Sequence, residues 1–282
     1  MMVDVARFEI GATTLTRVPY FDVALDPAAA NLGPEHVVAL AEWGTPSWAT
    51  AEGELLIGQA IWVIESEGHV IVVDPCGAAD PFIRTGPEAL DHQQVVLSAM
   101  TAAGHPPESV DVVALSHLDG IGLTAVVDED GHWSPAFPEA RIVMTSAELE
   151  FLASRDDVGG LSILRELIEQ GAVDGVRDGH ALTDEVAMRI TGGHSPGHAL
   201  IEVDSRGERA VLLGHLAVSP LNTAVPAAPH AHVDAVVAQA ALDQLIASAA
   251  DDGARVIGPL WPYPGAGQVA AGDRRIVPAF VG

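Results

Sequence analysis

The chain has 282 residues, 49% of them hydrophobic, with a formal net charge of −26 from 39 acidic residues against 13 basic ones, all arginine. That length and apolar content suit a single α/β domain over residues 1–282. The charge argues against nucleic acid or membrane as a partner and leaves a small molecule as the expected one. One cysteine, Cys76, excludes an internal disulfide and a multi-thiolate zinc site.

Asp4, Arg7 and Glu9 interrupt the N-terminal stretch, and no uncharged apolar run approaches the ~20 residues that span a bilayer, so a cytoplasmic protein is expected. The runs Ala60 to Ile64 and Val70 to Asp74 read as strands around Glu65-Ser66-Glu67-Gly68, which has the composition of a hairpin turn. Gly86 to Ala103 has a helical pattern, broken by Gly104-His105-Pro106-Pro107, and Val110 to Leu115 is a short buried strand running into Ser116-His117-Leu118-Asp119. Ala140 to Met144 is a further strand, and Ser146 opens a helix whose first turns carry Glu148 and Glu150, a favourable place for negative charge.

Val186 to Ile190 leads into the loop from Thr191 to His198. Leu200 to Val203 and Ala210 to Leu213 form a hairpin around Asp204-Ser205-Arg206-Gly207, and the second strand delivers Gly214-His215. An alanine-rich helix, about Val233 to Ala250, precedes a last strand, Arg255 to Ile257, and the loop from Gly258 to Gly265.

Three polar clusters, His117 with Asp119, His194 with His198, and His215, each sit just beyond a predicted strand, so one sheet edge can converge them. Most of the 12 histidines are expected to be ordinary surface or packing residues, and placement after a strand is what separates these four from the rest, His232 among them. Imidazoles beside a carboxylate suit a first-row metal ion or general acid–base work.

Order and spacing resemble the metallo-β-lactamase superfamily, in its lactonase-like and organophosphate-hydrolase-like branch, from about Leu55 to Val269. The residues that carry the resemblance are the strand-end aspartate in Val72-Val73-Asp74-Pro75-Cys76-Gly77, the loop Gly193-His194-Ser195-Pro196-Gly197-His198, the stretch from Asp128 to Arg141, and Trp261-Pro262-Tyr263-Pro264-Gly265. The resemblance implies a four-layer αββα sandwich and hydrolase chemistry at a metal site.

Departures from the family pattern bear on that chemistry. The family's HxHxDH element reads Ser116-His117-Leu118-Asp119-Gly120 here. With a two-residue deletion His117 keeps the first histidine and Asp119 the aspartate; without it, Asp119 stands at the second histidine. Either alignment loses two of four ligands. His215 stands where the family has its bridging aspartate, and Leu260 where it has a last histidine.

His117, Asp119, His194 and His215 are therefore the expected catalytic or metal-binding residues, for one zinc-like divalent ion at most or for metal-free proton chemistry. His198 matches a loop-supporting position. With Leu260, Trp261 and Tyr263 it is expected to line the substrate site, and the apolar rim suits a partly hydrophobic substrate. The expected function is a diverged hydrolase or lyase. The competing reading is a ligand-binding or regulatory protein that has lost the dinuclear site, and a homodimer stays open as the assembly.

Overall fold

Successive side chains of a strand point to opposite faces, so a continuous apolar run lets it bury both faces against different partners. In the strand from Leu55 to Ser66, Trp62 and Ile64 face one core while Ile61 and Val63 face another. The same alternation recurs from Glu208 to Leu212, where Ala210 and Leu212 turn inward and Val211 outward. Such strands require a layer on each side. The computed structural model, which describes residues 5–27, 33–75, 87–118, 122–127, 131–155, 160–226 and 231–279, supplies them.

The first sheet runs in the order β1 (Ala6–Ile10), β2 (Thr13–Leu25), β3 (Leu55–Ser66), β4 (His69–Val73), β5 (Val112–Leu115), then β8 (Arg141–Thr145) and β9 (Val173–Val176). A separate ribbon of β6 (Ala125–Val127) and β7 (Trp133–Pro135) falls between β5 and β8 in the chain. The second sheet orders β10 (His180–Ala181), β11 (Val186–Ile190), β12 (Ala199–Ser205), β13 (Glu208–Leu212), β14 (Arg255–Ile257), β15 (Ala266–Val269) and β16 (Ile276–Pro278).

Trp62, Ile71, Val73, Met188, Ile201, Leu212 and their neighbours fill the space between the sheets. Helix α1 (Pro34–Ala39) falls between β2 and β3 in the chain. The outer face of the first sheet packs on α2 (Pro87–Ala102), α3 (Ser146–Ala153) and α4 (Leu161–Glu169) through Met100, Leu152, Leu164 and Leu167. The outer face of the second packs on α5 (Ala235–Asp252) through Leu242, Leu245 and Ile246. The result is the αββα sandwich expected from the sequence.

Local chemistry explains the boundaries that differ from expectation. The two hairpin turns are tighter than the four-residue stretches predicted, because Glu67-Gly68 and Arg206-Gly207 both take left-handed backbone, at φ 53° and 83° and at 53° and 86°. Two such residues form the turn that matches the twist of paired strands. Helix α5 starts later than predicted because the Asp234 carboxylate accepts from the Val236 and Val237 amides, both at 3.0 Å, and Gly253 at φ 70° ends it. Strands β1 and β2, helix α4 and the short strands β6, β7, β9, β10, β15 and β16 were not predicted.

Parallel pairing of β4 with β5, and antiparallel pairing of β12 with β13, bring the residues after β4, β5 and β13 and before β12 to one end of the sandwich. Asp74, His117, His198 and His215 all arrive there. Among the described residues, no helix is long and apolar enough to cross a membrane.

Candidate functional site

The site starts from Asp74, which leaves β4 in left-handed backbone at φ 41°. Val73 pairs with Ala114 of β5, so the Asp74 carboxylate reaches the chain that follows β5. Its Oδ1 accepts from the Ser116 amide at 2.8 Å and its Oδ2 from the Ser116 hydroxyl at 2.7 Å. With its proton given to the carboxylate, Ser116 Oγ must accept from His117 Nδ1–H, at 2.9 Å. That fixes the tautomer: His117 Nε2 is left as the lone-pair nitrogen, and it faces His215 Nδ1 at 3.2 Å.

The loop between β11 and β12 is built in the same way. Thr191 Oγ1 lies within hydrogen-bond distance of the Gly192 and His198 carbonyls, both at 3.2 Å, and of His198 Nδ1 at 2.8 Å. His198 is fully buried, and its Nε2 has no hydrogen-bond partner among the described residues. A Cβ on Gly214 would fall 2.5 Å from that nitrogen and 2.8 Å from Ser116 Oγ, so residue 214 must be glycine for His215 to follow. Two more glycines let the loop wedge between helices. A Cβ on Gly193 would lie 2.3 Å from the Ala238 amide of α5, and one on Gly197 2.0 Å from the Glu148 amide of α3. The Gly193 and His194 carbonyls accept from the Asp234 and Val233 amides.

These constraints gather the imidazoles. The His117 ring centroid lies 4.7 Å from His194, 4.6 Å from His215 and 5.4 Å from His198. His194 Nδ1 lies 3.1 Å from His232 Nδ1, across rings 5.3 Å apart. One ring nitrogen from each of His117, His194 and His215 lies within 4.8 Å of the other two, a grouping that can hold a metal ion.

Burial, reinforced by the neighbouring imidazoles, holds His117 and His198 neutral and pushes their pKa well below the ordinary 6.5. Burial also lowers the pKa of His232, with a smaller contribution from His215. Neutral imidazoles are the ligating form.

Placement of the other expected residues varies. Asp119 lies outside the described residues, as does Cys76. Tyr263 is exposed, and Leu260 is half-buried with its carbonyl accepting from the Gly58 amide. Trp261 and His198, both expected to line the substrate site, are fully buried. The Trp261 indole N–H donates to the Ala217 carbonyl at 3.2 Å, and its ring packs edge-on against Trp48 at 6.0 Å.

Sequence reasoning missed His232, Thr191 and the anchoring role of Glu148. His232 precedes the α5 cap by two residues and reaches the site through backbone pairing of Val233 with His194, which no periodicity announces. Glu148 is buried within the first turn of α3, and its Oε2 accepts from Ser195 Oγ at 2.6 Å and the Gly197 amide at 3.2 Å. Desolvation raises its pKa, with the Ser195 hydroxyl opposing.

No family model and no curated protein sequence matches the chain. Solved structures do. The hydrolase AbOPH of the β-lactamase superfamily superposes with a TM-score of 0.78 at 19% identity, over 100% of this chain and 99% of its own. AidC, a dizinc quorum-quenching lactonase, gives 0.74 at 17%, over 99% and 98%. An AiiA variant from B. thuringiensis with N-decanoyl-L-homoserine bound at its active site gives 0.56 at 18%, over 92% and 94%. With the two sheets, the flanking helices and the strand-end histidines in place, this full-length similarity establishes that the chain has the metallo-β-lactamase fold.

Proposed function

We propose that the chain is a hydrolase-type enzyme for a small, partly apolar organic substrate, working with a single divalent ion held by His117, His194 and His215. The observation that carries this reading is a prepared donor set: His117 Nε2 is left as a lone pair by the Asp74–Ser116 chain behind it, and it meets His215 Nδ1 at 3.2 Å. That separation is close to the edge of a tetrahedron with metal–nitrogen bonds of about 2.0–2.1 Å, roughly 3.3 Å. Two of the three rings also have an outer partner that fixes their orientation, Ser116 behind His117 and His232 behind His194.

Three neutral imidazoles favour zinc or another first-row ion over magnesium or calcium, and they leave the ion's charge undiminished. An ion bound there supplies Lewis-acid polarisation of a carbonyl or phosphoryl oxygen. A dinuclear centre has no support among the described residues: His215 stands at the place of the bridging carboxylate, and Leu260 offers no lone pair.

The chain's own groups do the rest. Asp74 and Ser116 hold the His117 ring, so its lone pair stays aimed at the cluster. His232 is half-buried and bonded to His194, which lets it exchange a proton between the cluster and solvent as the leaving group departs. Asp119, two residues beyond His117 in the sequence, is the carboxylate we assign to general-base work. Leu260 and Tyr263 are assigned to the apolar part of the substrate.

Turnover of a panel of lactones, carboxylic esters and phosphotriesters, with and without chelator, tests this reading against His117→Ala, His194→Ala and His215→Ala. Hydrolysis of at least one class is expected, sensitive to chelator and lowered roughly 10²–10⁴-fold in each variant. Rates equal to wild type in all three variants would overturn the assignment. A panel member bound unchanged through long incubation would favour the ligand-binding alternative.

A further inference from the structure

Two His-bearing segments come from different sheets, yet they meet with the His117 and His194 rings 4.7 Å apart. Something must hold that spacing. Glu148 is 1% exposed and stands on α3, directly after β8, which pairs with β5, the strand that ends just before His117; from there its carboxylate accepts from Ser195 Oγ and the Gly197 amide, within the loop that begins at His194. We infer that Glu148 is a positioning residue whose single carboxylate ties the His194 loop to the first sheet, beside the strand that carries His117, and so sets the geometry of the metal-binding cluster.

Its own anchorage makes this effective. Glu148 lies in the first turn of α3, where its amide donates to Thr145 Oγ1 at 3.1 Å, and Thr145 Oγ1 donates to the Gly197 carbonyl at 2.6 Å. Gly197 then presses directly on the Glu148 backbone. The carboxylate is therefore rigid on the helix side and bonded to the His194 loop. A buried carboxylate with two donors from one loop holds that loop in place, because releasing it leaves the carboxylate under-satisfied in a desolvated place.

The inference builds on the single-ion reading, and the test separates the two. Rings of His117 and His194 are followed by NMR in metal-free protein labelled at histidine, while Co²⁺ binding is titrated by absorption. Wild type is expected to show a nuclear Overhauser contact between the two rings. Glu148→Ala is expected to lose that contact and to weaken Co²⁺ binding about 10–100-fold, the range seen when an outer support of a metal ligand is removed. Glu148→Gln is expected to keep the contact, since Ser195 and Gly197 both bond one oxygen, Oε2, which an amide oxygen can replace.

If Glu148→Ala does not fold, Ser195→Ala takes its place, with a weakened contact and Co²⁺ binding lowered several-fold. A ring contact that persists in the alanine variant at wild-type strength overturns the inference, whatever Co²⁺ does. A wild type that binds no Co²⁺ overturns the single-ion reading alone, and the ring contact still decides the role of Glu148.

Discussion

The two ends of the sandwich bridge the same pair of sheets with opposite kinds of polar chemistry. At the end holding the β3–β4 turn, the Glu185 carboxylate accepts from Thr13 at 2.7 Å, Ser205 at 2.7 Å and Ser66 at 3.4 Å, while Ser66 and Thr183 meet at 3.0 Å. Each hydroxyl finds its acceptor. At the other end, five imidazoles crowd together, and the His198 Nε2 is buried with no hydrogen-bond partner among the described residues. Saturated polar groups staple layers; groups with spare lone pairs are where a ligand can add bonds. The contrast explains why one end reads as structure and the other as chemistry, although both are polar and largely buried.

Gly214→Ala should blur that contrast most. Its Cβ would collide with His198 Nε2 and Ser116 Oγ, and the backbone at φ 50° disfavours any side chain. Overpacking and backbone strain together predict about 2–4 kcal/mol of lost stability by urea unfolding, with loss of Co²⁺ binding. Stability equal to wild type would show that the imidazole end is loosely packed.

Ser116→Ala acts next most strongly. It strands the His117 Nδ1–H and removes one donor from Asp74, and an approximately 10–100-fold drop in Co²⁺ affinity is expected with the fold retained. An unchanged affinity would remove the outer support from the account.

Acid should then separate the two ends. His117, His198, His36 and His105 have folded pKa values below the ordinary 6.5, chiefly through burial, so the unfolded chain binds the extra protons. Their stabilising contribution is full above pH 6.5 and is lost as pH falls below it. Hydrogen bonds from Thr13 and Ser205 depress Glu185 below its ordinary 4.5, so the staple weakens only as pH falls past that value. Urea unfolding in chelator across pH 7.5 to 4 should show the first decline starting near the histidine value; a flat profile down to about pH 5 would contradict it.

The smallest effect belongs to the staple itself. Glu185→Gln should lower the melting temperature modestly and leave Co²⁺ affinity within about twofold, because distant sites add independently. A large change in affinity would mean the two ends are coupled.

Much of this was legible in the sequence. Apolar runs around turn residues announced β3, β4, β12 and β13, and four histidines placed after strands announced the converging edge, because a strand's end fixes where its next side chain arrives. The glycine-rich turn after β11 likewise marked its loop. What escaped depends on contacts between segments far apart in the chain. Glu148 looked like an acid favoured by a helix N-terminus, and only the folded chain shows it bonded to the His194 loop. His232 was set aside because it follows no strand. Trp261 was assigned to the rim by its loop, and the fold buries it with its indole N–H donating to the Ala217 carbonyl. Helix α4 carries buried Leu161, Leu164 and Leu167 at helical spacing, a pattern that was present to be read.

The central claim is that three imidazoles form one metal site. A crystal of protein purified without chelator, measured on both sides of the zinc absorption edge, tests it most directly. A single anomalous peak bonded to His117, His194 and His215 is the predicted result. Two peaks at that edge, or none after soaking with zinc, would contradict the account.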